Sequence, residues 1–170
     1  MSSSPSKVIW TLGIRTLHWC VAVCVILNLL VLEEGDPPHT WAGYVACFFV
    51  GLRLHQGFFG KSHALFRNFP FFEIAPFLKD FFRSDAKPYE GHNPMASWTY
   101  VGIWFLIFCL GLSGYLMSTD YFFGEESMQK LHEILSQCLV ALILAHFAGI
   151  LTDAWKHKRK TWLAMITGRR

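Results

Sequence analysis

Charged residues are scarce in this sequence. Of its 170 residues only 16% are charged, whereas 53% are hydrophobic and 16 are phenylalanine. A soluble domain usually carries about 25% charged residues, so the deficit excludes a water-soluble globular enzyme, a nucleic-acid-binding protein and a disordered chain. The sequence also lacks the alternation of apolar and polar residues that is typical of strands. It contains no internal repeats and no low-complexity segments. The composition therefore predicts an all-α integral membrane protein in contact with lipid.

Cysteine motifs that bind metal or haem are absent as well. The five cysteines form no zinc-type cluster, and no Cys-x-x-Cys-His motif for covalent haem attachment occurs. All of them lie in apolar stretches, where we expect them to pack as small apolar residues. They are Cys20, Cys24, Cys47, Cys109 and Cys138.

Four apolar stretches are long enough to cross a membrane, which takes about 20 residues. They cover residues 8–32, 37–59, 94–117 and 128–155. Asp36 and Asn93 precede the second and third stretches as N-caps, and a proline occupies the first helical position in each. The first stretch has no small-residue cleavage site, so we expect it to be a span rather than a signal peptide. The sequence predicts one domain over residues 1–170, a four-helix membrane bundle.

Basic residues are concentrated on one side of the predicted bundle. An even number of spans puts both termini on that side, which holds fourteen Lys and Arg against five acids, a net charge of +9. The opposite side, here the outer face, has Lys130 against seven acids, a net charge of −6. The positive-inside rule predicts cytoplasmic termini. In a bacterial inner membrane the outer face would then be directed toward the periplasm. The seven acids are Glu33, Glu34, Asp36, Asp120, Glu125, Glu126 and Glu133.

The long inner loop contains a segment, residues 71–83, that mixes aromatic and charged residues. This pattern is typical of a short amphipathic helix in the lipid headgroup region. A loop packed beneath the bundle is an equally good interpretation.

Four histidines lie within the predicted spans: His18, His39, His132 and His146. An ionisable residue inside a membrane is costly, so each is a candidate functional residue. The other four lie at the inner edge or in inner loops, where we expect ordinary interfacial roles. They are His55, His63, His92 and His157.

Helix geometry sorts the four intramembrane histidines into two pairs. His132 and His146 are fourteen residues apart, so they lie within about 40° of one helix face and about 21 Å apart along its axis. His39 lies at the depth of His132, and His18 lies at the depth of His146. We call His39 and His132 the outer pair, and His18 and His146 the inner pair.

Two layered histidine pairs in a helical bundle suit two b-type haems, each with two imidazole ligands. A single such histidine can equally be a hydrogen-bonded core residue. Bare metal ions are a rival, but two histidines without a carboxylate or thiolate make a poor metal cage. Six-coordinate irons would leave no open position for oxygen, which favours electron transfer.

Further residues fit a haem protein. Arg15 lies one turn from His18, and Arg53 lies fourteen residues after His39 on the inner side, so both are candidates to pair with the propionates of an inner haem. Gly43, one turn from His39, is a candidate to admit a flat macrocycle against the backbone. Snorkelling explains Arg15 equally well, but it explains Arg53 less well because Arg53 faces the His39 side. Close helix packing explains such glycines equally well. The same choice applies to three other glycines: Gly111, Gly114 and Gly149.

These residues form an ordered set that touches all four stretches. It consists of Arg15-Thr-Leu-His18-Trp19, His39-x-x-x-Gly43 with Arg53, Gly91-His-Asn-Pro94, and His132-Glu133-x-Leu135 with His146. Over nearly its whole length the sequence resembles the bacterial di-haem cytochrome b-561 family, which includes superoxide oxidase and the b-type subunits of nickel-iron hydrogenases.

The resemblance implies two haem b groups, with the inner pair and the outer pair as their axial ligands. It also implies electron transfer between a quinone pool, ubiquinone or menaquinone, and a redox partner on one face. The stretch from Gly91 to Pro94 is more similar to the hydrogenase-type and cytochrome-c-linked members than to superoxide oxidase.

We therefore expect transmembrane electron transfer between the quinone pool and a periplasmic redox partner such as a c-type cytochrome. The alternative is a superoxide:quinone oxidoreductase, and a third interpretation is a haem-free transporter or scaffold. Superoxide is an anion, whereas the outer face is acidic, which favours a lysine-rich cytochrome c. The sequence identifies no catalytic residue.

Overall fold

The computed structural model describes residues 8–60, 65–81, 89 and 91–169. Within these ranges the chain is helical, and its extended pairing is limited to an isolated bridge between Val8 and Arg169. The predicted all-α class is therefore confirmed for the described residues. Outside these ranges lie His63 and seven of the charged residues counted above on the cytoplasmic side: Lys7, Lys61, Arg83, Asp85, Lys87, Glu90 and Arg170. The described part contains six α-helices: α1 Leu12–Leu30, α2 Pro37–Phe59, α3 Ile74–Phe81, α4 Pro94–Met117, α5 Glu126–His157 and α6 Ala164–Thr167.

Polar caps and prolines explain where α2 and α4 begin. Each starts at a proline, whose missing N–H is no loss in the first turn. The Asn93 side chain accepts a hydrogen bond from the Ala96 N–H at 2.7 Å and caps α4. Asp36 occupies the N-cap position of α2, but its side chain makes no capping hydrogen bond.

The first and last long helices differ from the predicted ranges. α1 begins at Leu12 rather than at residue 8, because the preceding residues hydrogen-bond to the far end of the chain. The N–H groups of Ile9 and Trp10 both donate to the Gly168 carbonyl, at 2.9 and 3.2 Å. α5 extends from Glu126 to His157, two residues beyond the predicted range at each end.

Three helices of the described chain are long and apolar enough to cross a membrane: α1, α4 and α5. α2 is 23 residues long, but it is not apolar enough to be counted with these three, because it contains several polar residues, among them His39, Arg53 and His55. Many large apolar side chains on the long helices are exposed, as on α5, where Leu144 and Leu151 are 63% and 66% exposed. Exposed apolar surface of this extent is typical of helices that face lipid.

The long helices pack in sequence around a small core. α2 packs against α1 and α4, and α4 packs against α5. The central cluster consists of Ala46, Val50, Ile107 and Leu139, contributed by α2, α4 and α5. This core lies between the depths of the two histidine pairs and holds the helices that carry them in register.

The predicted amphipathic segment of the inner loop forms a helix, α3. Lys156 of α5 donates from Nζ to the Asp80 carbonyl at 2.9 Å, and Trp98 of α4 donates from Nε1 to the Phe71 carbonyl at 3.1 Å. Phe72 is 97% exposed beside these anchors. The segment therefore packs against the ends of α4 and α5 while it keeps an exposed aromatic residue.

The chain reverses after α5 and returns to the start of α1. Lys158 adopts a left-handed conformation with φ of 48°, which ends α5. Arg159 then donates from Nε and Nη2 to the Asp153 carboxylate at 2.9 and 2.5 Å. The returning segment buries Ala164 against Ile9 and Trp10.

Candidate functional site

The outer pair joins the start of α2 to the second turn of α5. The ring centres of His39 and His132 lie 6.4 Å apart, and the ring planes are inclined by 55°. Two imidazoles on opposite sides of one iron, each with a metal–nitrogen bond of about 2 Å, have ring centres about 6 Å apart. The spacing therefore fits two axial ligands of a haem.

The environment of the outer pair also fits a ligand site. The Nδ1 atom of His39 is buried and has no hydrogen-bond partner among the described residues. A buried polar atom without a partner costs about 1–3 kcal/mol, which a bound group at this site would offset. The Nδ1 atom of His132 lies 2.7 Å from the Oγ atom of Ser113 on α4.

A polar side chain of α1 reaches the backbone of α2 at the outer pair. With its amide nitrogen toward α2, Asn28 donates to the His39 carbonyl at 3.2 Å and accepts from the Gly43 N–H at 3.1 Å. A Cβ atom on Gly43 would lie 3.5 Å from this amide. Gly43 therefore faces α1, which favours its role in helix packing over direct contact with a macrocycle.

The inner pair joins the second turn of α1 to the inner half of α5. The ring centres of His18 and His146 lie 6.4 Å apart, with the ring planes inclined by 53°. The Trp19 ring lies 5.5 Å from His18, and the Tyr100 ring lies 5.4 Å from His146, each in an edge-on arrangement. The inner pair thus has the ring separation of the outer pair and an aromatic environment.

The two arginines singled out in the sequence have different surroundings. Arg15 donates from Nη1 to the Ile166 carbonyl in the returning C-terminal segment, while its Nε atom is buried without a partner among the described residues. Arg53 is buried, 8% exposed, and its guanidinium lies 5.6 Å from the Phe66 ring centre and 5.1 Å from that of Trp104. Arg53 is therefore held by cation–π contacts rather than extended toward the membrane surface.

The remaining glycines have separate roles. A Cβ atom on Gly111 would lie 2.5 Å from the Cys47 sulfur, so this glycine allows close packing of α2 and α4. A Cβ atom on Gly114 would lie 3.7 Å from the His132 ring, beside the outer pair. Nothing lies within 4 Å of such an atom on Gly149.

The other described histidines lie away from the two pairs. His55 is exposed, with its ring 5.0 Å from Phe59, and His157 lies 3.9 Å from the Asp153 carboxylate. His92 is half-buried among aromatic residues. Its ring lies 4.4 to 4.8 Å from those of three aromatic residues, one of which also contacts His146. These residues are Trp10, Phe69 and Tyr100.

No third metal-binding side chain joins either pair in the described part of the chain, where no group of three or more His, Cys, Asp or Glu exists. All five cysteines are unpaired. Each pair therefore offers two imidazole donors, which matches the donor set of a haem with two axial histidines and not that of a metal cage.

Apolar helices of spanning length and two internal imidazole pairs define an integral membrane protein with the donor pattern of a b-type cytochrome. The family model of prokaryotic cytochrome b561 matches residues 9–168. The chain belongs to the prokaryotic cytochrome b561 family, and membership implies b-type haem and electron transfer in the membrane. Comparisons with curated proteins and with solved structures found no match.

Proposed function

We propose that this protein carries electrons across the bacterial inner membrane through two b haems, between the quinone pool and a periplasmic redox partner. The inner pair holds one haem and the outer pair holds the other. The observation that carries the proposal is the repetition of one geometry, since both pairs have ring centres 6.4 Å apart, at two positions of α5 that are fourteen residues apart. When bound, the haems supply one-electron oxidation and reduction, and the chain holds and orients them.

Charged side chains near the inner pair support its assignment as a haem site. Arg15 lies one turn from His18, and its buried Nε atom has no partner in the described part of the chain. Arg53 lies against Trp104, whose ring stacks on that of Tyr100 next to His146. We assign both arginines to the propionates of the inner haem, because a guanidinium binds a carboxylate through two parallel hydrogen bonds.

α2 is the fourth span of a single domain covering residues 1–170. Its 23 residues have a length of about 35 Å, enough for a hydrocarbon core of about 30 Å. Arg53 is buried, and α2 packs between α1 and α4. His55 is exposed near the inner end of the helix. The other large exposed side chains of α2 are apolar: Trp41, Val45, Phe48, Leu52, Phe58 and Phe59.

Both termini are cytoplasmic in this proposal. The acids of the outer face all lie in the described part of the chain and are exposed, as is Lys130. The positive-inside rule assigns this face, which holds a single Lys and no Arg, to the periplasm. An acidic surface around the outer pair attracts a basic protein such as a lysine-rich c-type cytochrome.

The alternative function is a superoxide:quinone oxidoreductase. Lys130 is exposed two residues before His132, so a positive group lies close to the outer pair. Seven carboxylates on the same face repel superoxide, which is why we prefer the cytochrome partner. The substrate in either case is ubiquinone or menaquinone.

The first test is the haem content of the purified protein. We expect a pyridine haemochrome assay to find two b haems per chain, and an optical spectrum without haem would refute the proposal. His146→Ala should remove the inner haem alone, and His39→Ala the outer haem alone. His55→Ala is the matched control, because His55 is exposed at the inner end of α2 and should leave both haems in place.

The second test separates the two functions. Reduced protein is mixed in a stopped-flow instrument with a lysine-rich cytochrome c, and oxidised protein is mixed with superoxide in the presence of quinone. We expect fast cytochrome reduction that slows as salt is added, since salt screens charge attraction. Fast quinone reduction by superoxide would favour the alternative.

A further inference from the structure

Ser113 is a buried polar residue in the middle of an apolar environment. It is 3% exposed and lies in α4, a helix whose other residues near it are mainly apolar. Its Oγ atom makes two contacts, one with the Leu110 carbonyl at 3.1 Å and one with Nδ1 of His132 at 2.7 Å. The second contact crosses from α4 to α5 and reaches a member of the outer pair.

The two contacts of Ser113 fit one arrangement of hydrogens at His132. A carbonyl oxygen only accepts, and the Ser113 hydroxyl donates its single hydrogen to the Leu110 carbonyl. In the tautomer of His132 that carries its ring hydrogen on Nδ1, this nitrogen donates to the Ser113 hydroxyl oxygen. A neutral imidazole with its hydrogen on Nδ1 has its lone pair on Nε2, which is thereby available to bind a metal.

The inner pair has no such partner. Among the described residues, the rings of His18 and His146 have aromatic neighbours but make no hydrogen bond of this kind. The outer pair therefore differs from the inner pair in a single directed hydrogen bond. Hydrogen bonds of this kind fix ring orientation, make the imidazole more basic and are among the ways a protein sets a haem potential.

We infer that Ser113 is the positioning residue of the outer haem site: its hydroxyl holds His132 in the form protonated on Nδ1 and so assigns Nε2 to the haem iron. The inference rests on the proposed function, in which the outer pair binds haem. A more basic ligand stabilises ferric over ferrous iron, so Ser113 lowers the midpoint potential of the outer haem.

The test replaces Ser113 in the full-length, haem-loaded protein. Ser113→Ala removes the hydroxyl, and Ser113→Thr retains it. Ser97→Ala is the matched control, because Ser97 is a fully buried serine of the same helix whose hydroxyl donates only to the local Asn93 carbonyl, at 3.0 Å. His132→Ala, which lacks the outer haem, identifies the signal of the inner haem.

Two quantities are measured in each variant: the midpoint potential of each haem by optical redox titration, and the rate of haem transfer to excess apomyoglobin. For Ser113→Ala we expect the equilibrium between the ferric and ferrous outer haem to shift about three- to tenfold toward the ferrous form. This shift raises the midpoint potential of the outer haem by about 30–60 mV. We also expect about tenfold faster loss of that haem. Ser113→Thr should restore both values, and the inner haem should not change.

The outcomes distinguish this inference from the proposed function. Two haems in the unmodified protein, with an unaltered outer haem in Ser113→Ala, would overturn the role of Ser113 alone. An equal shift in both haems, or the same shift in Ser97→Ala, would also overturn it by indicating a general structural effect. Absence of haem from the unmodified protein would overturn both.

Discussion

Asn28 offers the sharpest test of how the outer pair is held. Its side-chain amide makes two hydrogen bonds with the backbone of α2. It donates to the His39 carbonyl at 3.2 Å and accepts from the Gly43 N–H at 3.1 Å. Asn28→Leu keeps the size of the side chain and removes both hydrogen bonds. The two backbone groups lie four residues apart in one helix and can form a hydrogen bond with each other. The substitution therefore leaves no buried polar atom without a hydrogen-bond partner.

The magnitude follows from the two lost bonds. Hydrogen bonds between membrane helices contribute about 0.6 kcal/mol on average and at most about 1.7 kcal/mol. Two bonds therefore correspond to about 1–2 kcal/mol, or roughly a 5- to 30-fold change in the unfolding equilibrium. Because the bonds tie α1 to α2 next to His39, we expect the loss to fall on the outer haem.

The assay is unfolding of the haem-loaded protein in dodecyl maltoside by added dodecyl sulfate, followed by Soret absorbance. Asn28→Leu should release the outer haem at a lower dodecyl sulfate fraction, while release of the inner haem stays near its original midpoint. Gln137→Leu is the control, because Gln137 is an exposed amide of α5 whose side-chain nitrogen donates only to Glu133 of its own helix, at 3.0 Å. Identical release curves for the two variants would refute the reasoning.

Three further predictions concern other parts of the molecule. Gly111→Ala should destabilise the fold by about 1–3 kcal/mol through overpacking, since its methyl group would lie 2.5 Å from the Cys47 sulfur. The unfolding temperature in detergent should therefore fall, and it should recover when Cys47→Ala is added. Failure to recover would contradict this contact. Arg53→Gln should lower the inner haem potential by roughly 40 mV, the equivalent of about 1 kcal/mol for one electron, and Arg53→Lys should restore most of it in a redox titration. Glu33→Gln with Glu34→Gln should slow the reduction of a lysine-rich cytochrome c at low salt in stopped-flow, and an unchanged rate would argue against the acidic docking face.

Local sequence signals were sufficient for the bounds of α2 and α4. A proline at the first position after a polar residue marks each start, and a long apolar run defines each length, so Pro37–Phe59 and Pro94–Met117 agree with the predicted ranges. The start of α1 was not predictable in this way. It depends on hydrogen bonds to the Gly168 carbonyl, a residue at the opposite end of the chain.

Depth along a helix can be calculated from sequence, whereas rotation about a helix axis cannot when the helix is apolar all round. The rise per residue was enough to predict that His39 would lie near His132 and His18 near His146. α4 is apolar on every face, so its sequence does not indicate which side meets the outer pair. Ser113 was missed for that reason. A lone serine within an apolar run was the available signal, and it points to no particular partner.

Packing against the inner loop gives His92 neighbours that the sequence does not indicate. His92 lies two residues before Pro94 in a loop, where we expect an interfacial role. In the structure the residues around His92 come from three separate regions: Trp10 before α1, Phe69 in the inner loop and Tyr100 on α4. Contacts between such distant segments depend on the complete packing of the chain and not on any local pattern.

The charges and hydrogen bonds around the two pairs act in one direction on the relative potentials of the proposed haems. Ser113 makes His132 more basic, and the seven exposed carboxylates of the outer face add negative charge nearby; both stabilise the ferric outer haem. Arg15 and Arg53 lie on the side of the inner pair, where positive charge stabilises the ferrous haem. We therefore expect the outer haem to have the lower potential of the two. The redox titration that tests Ser113 also measures this order.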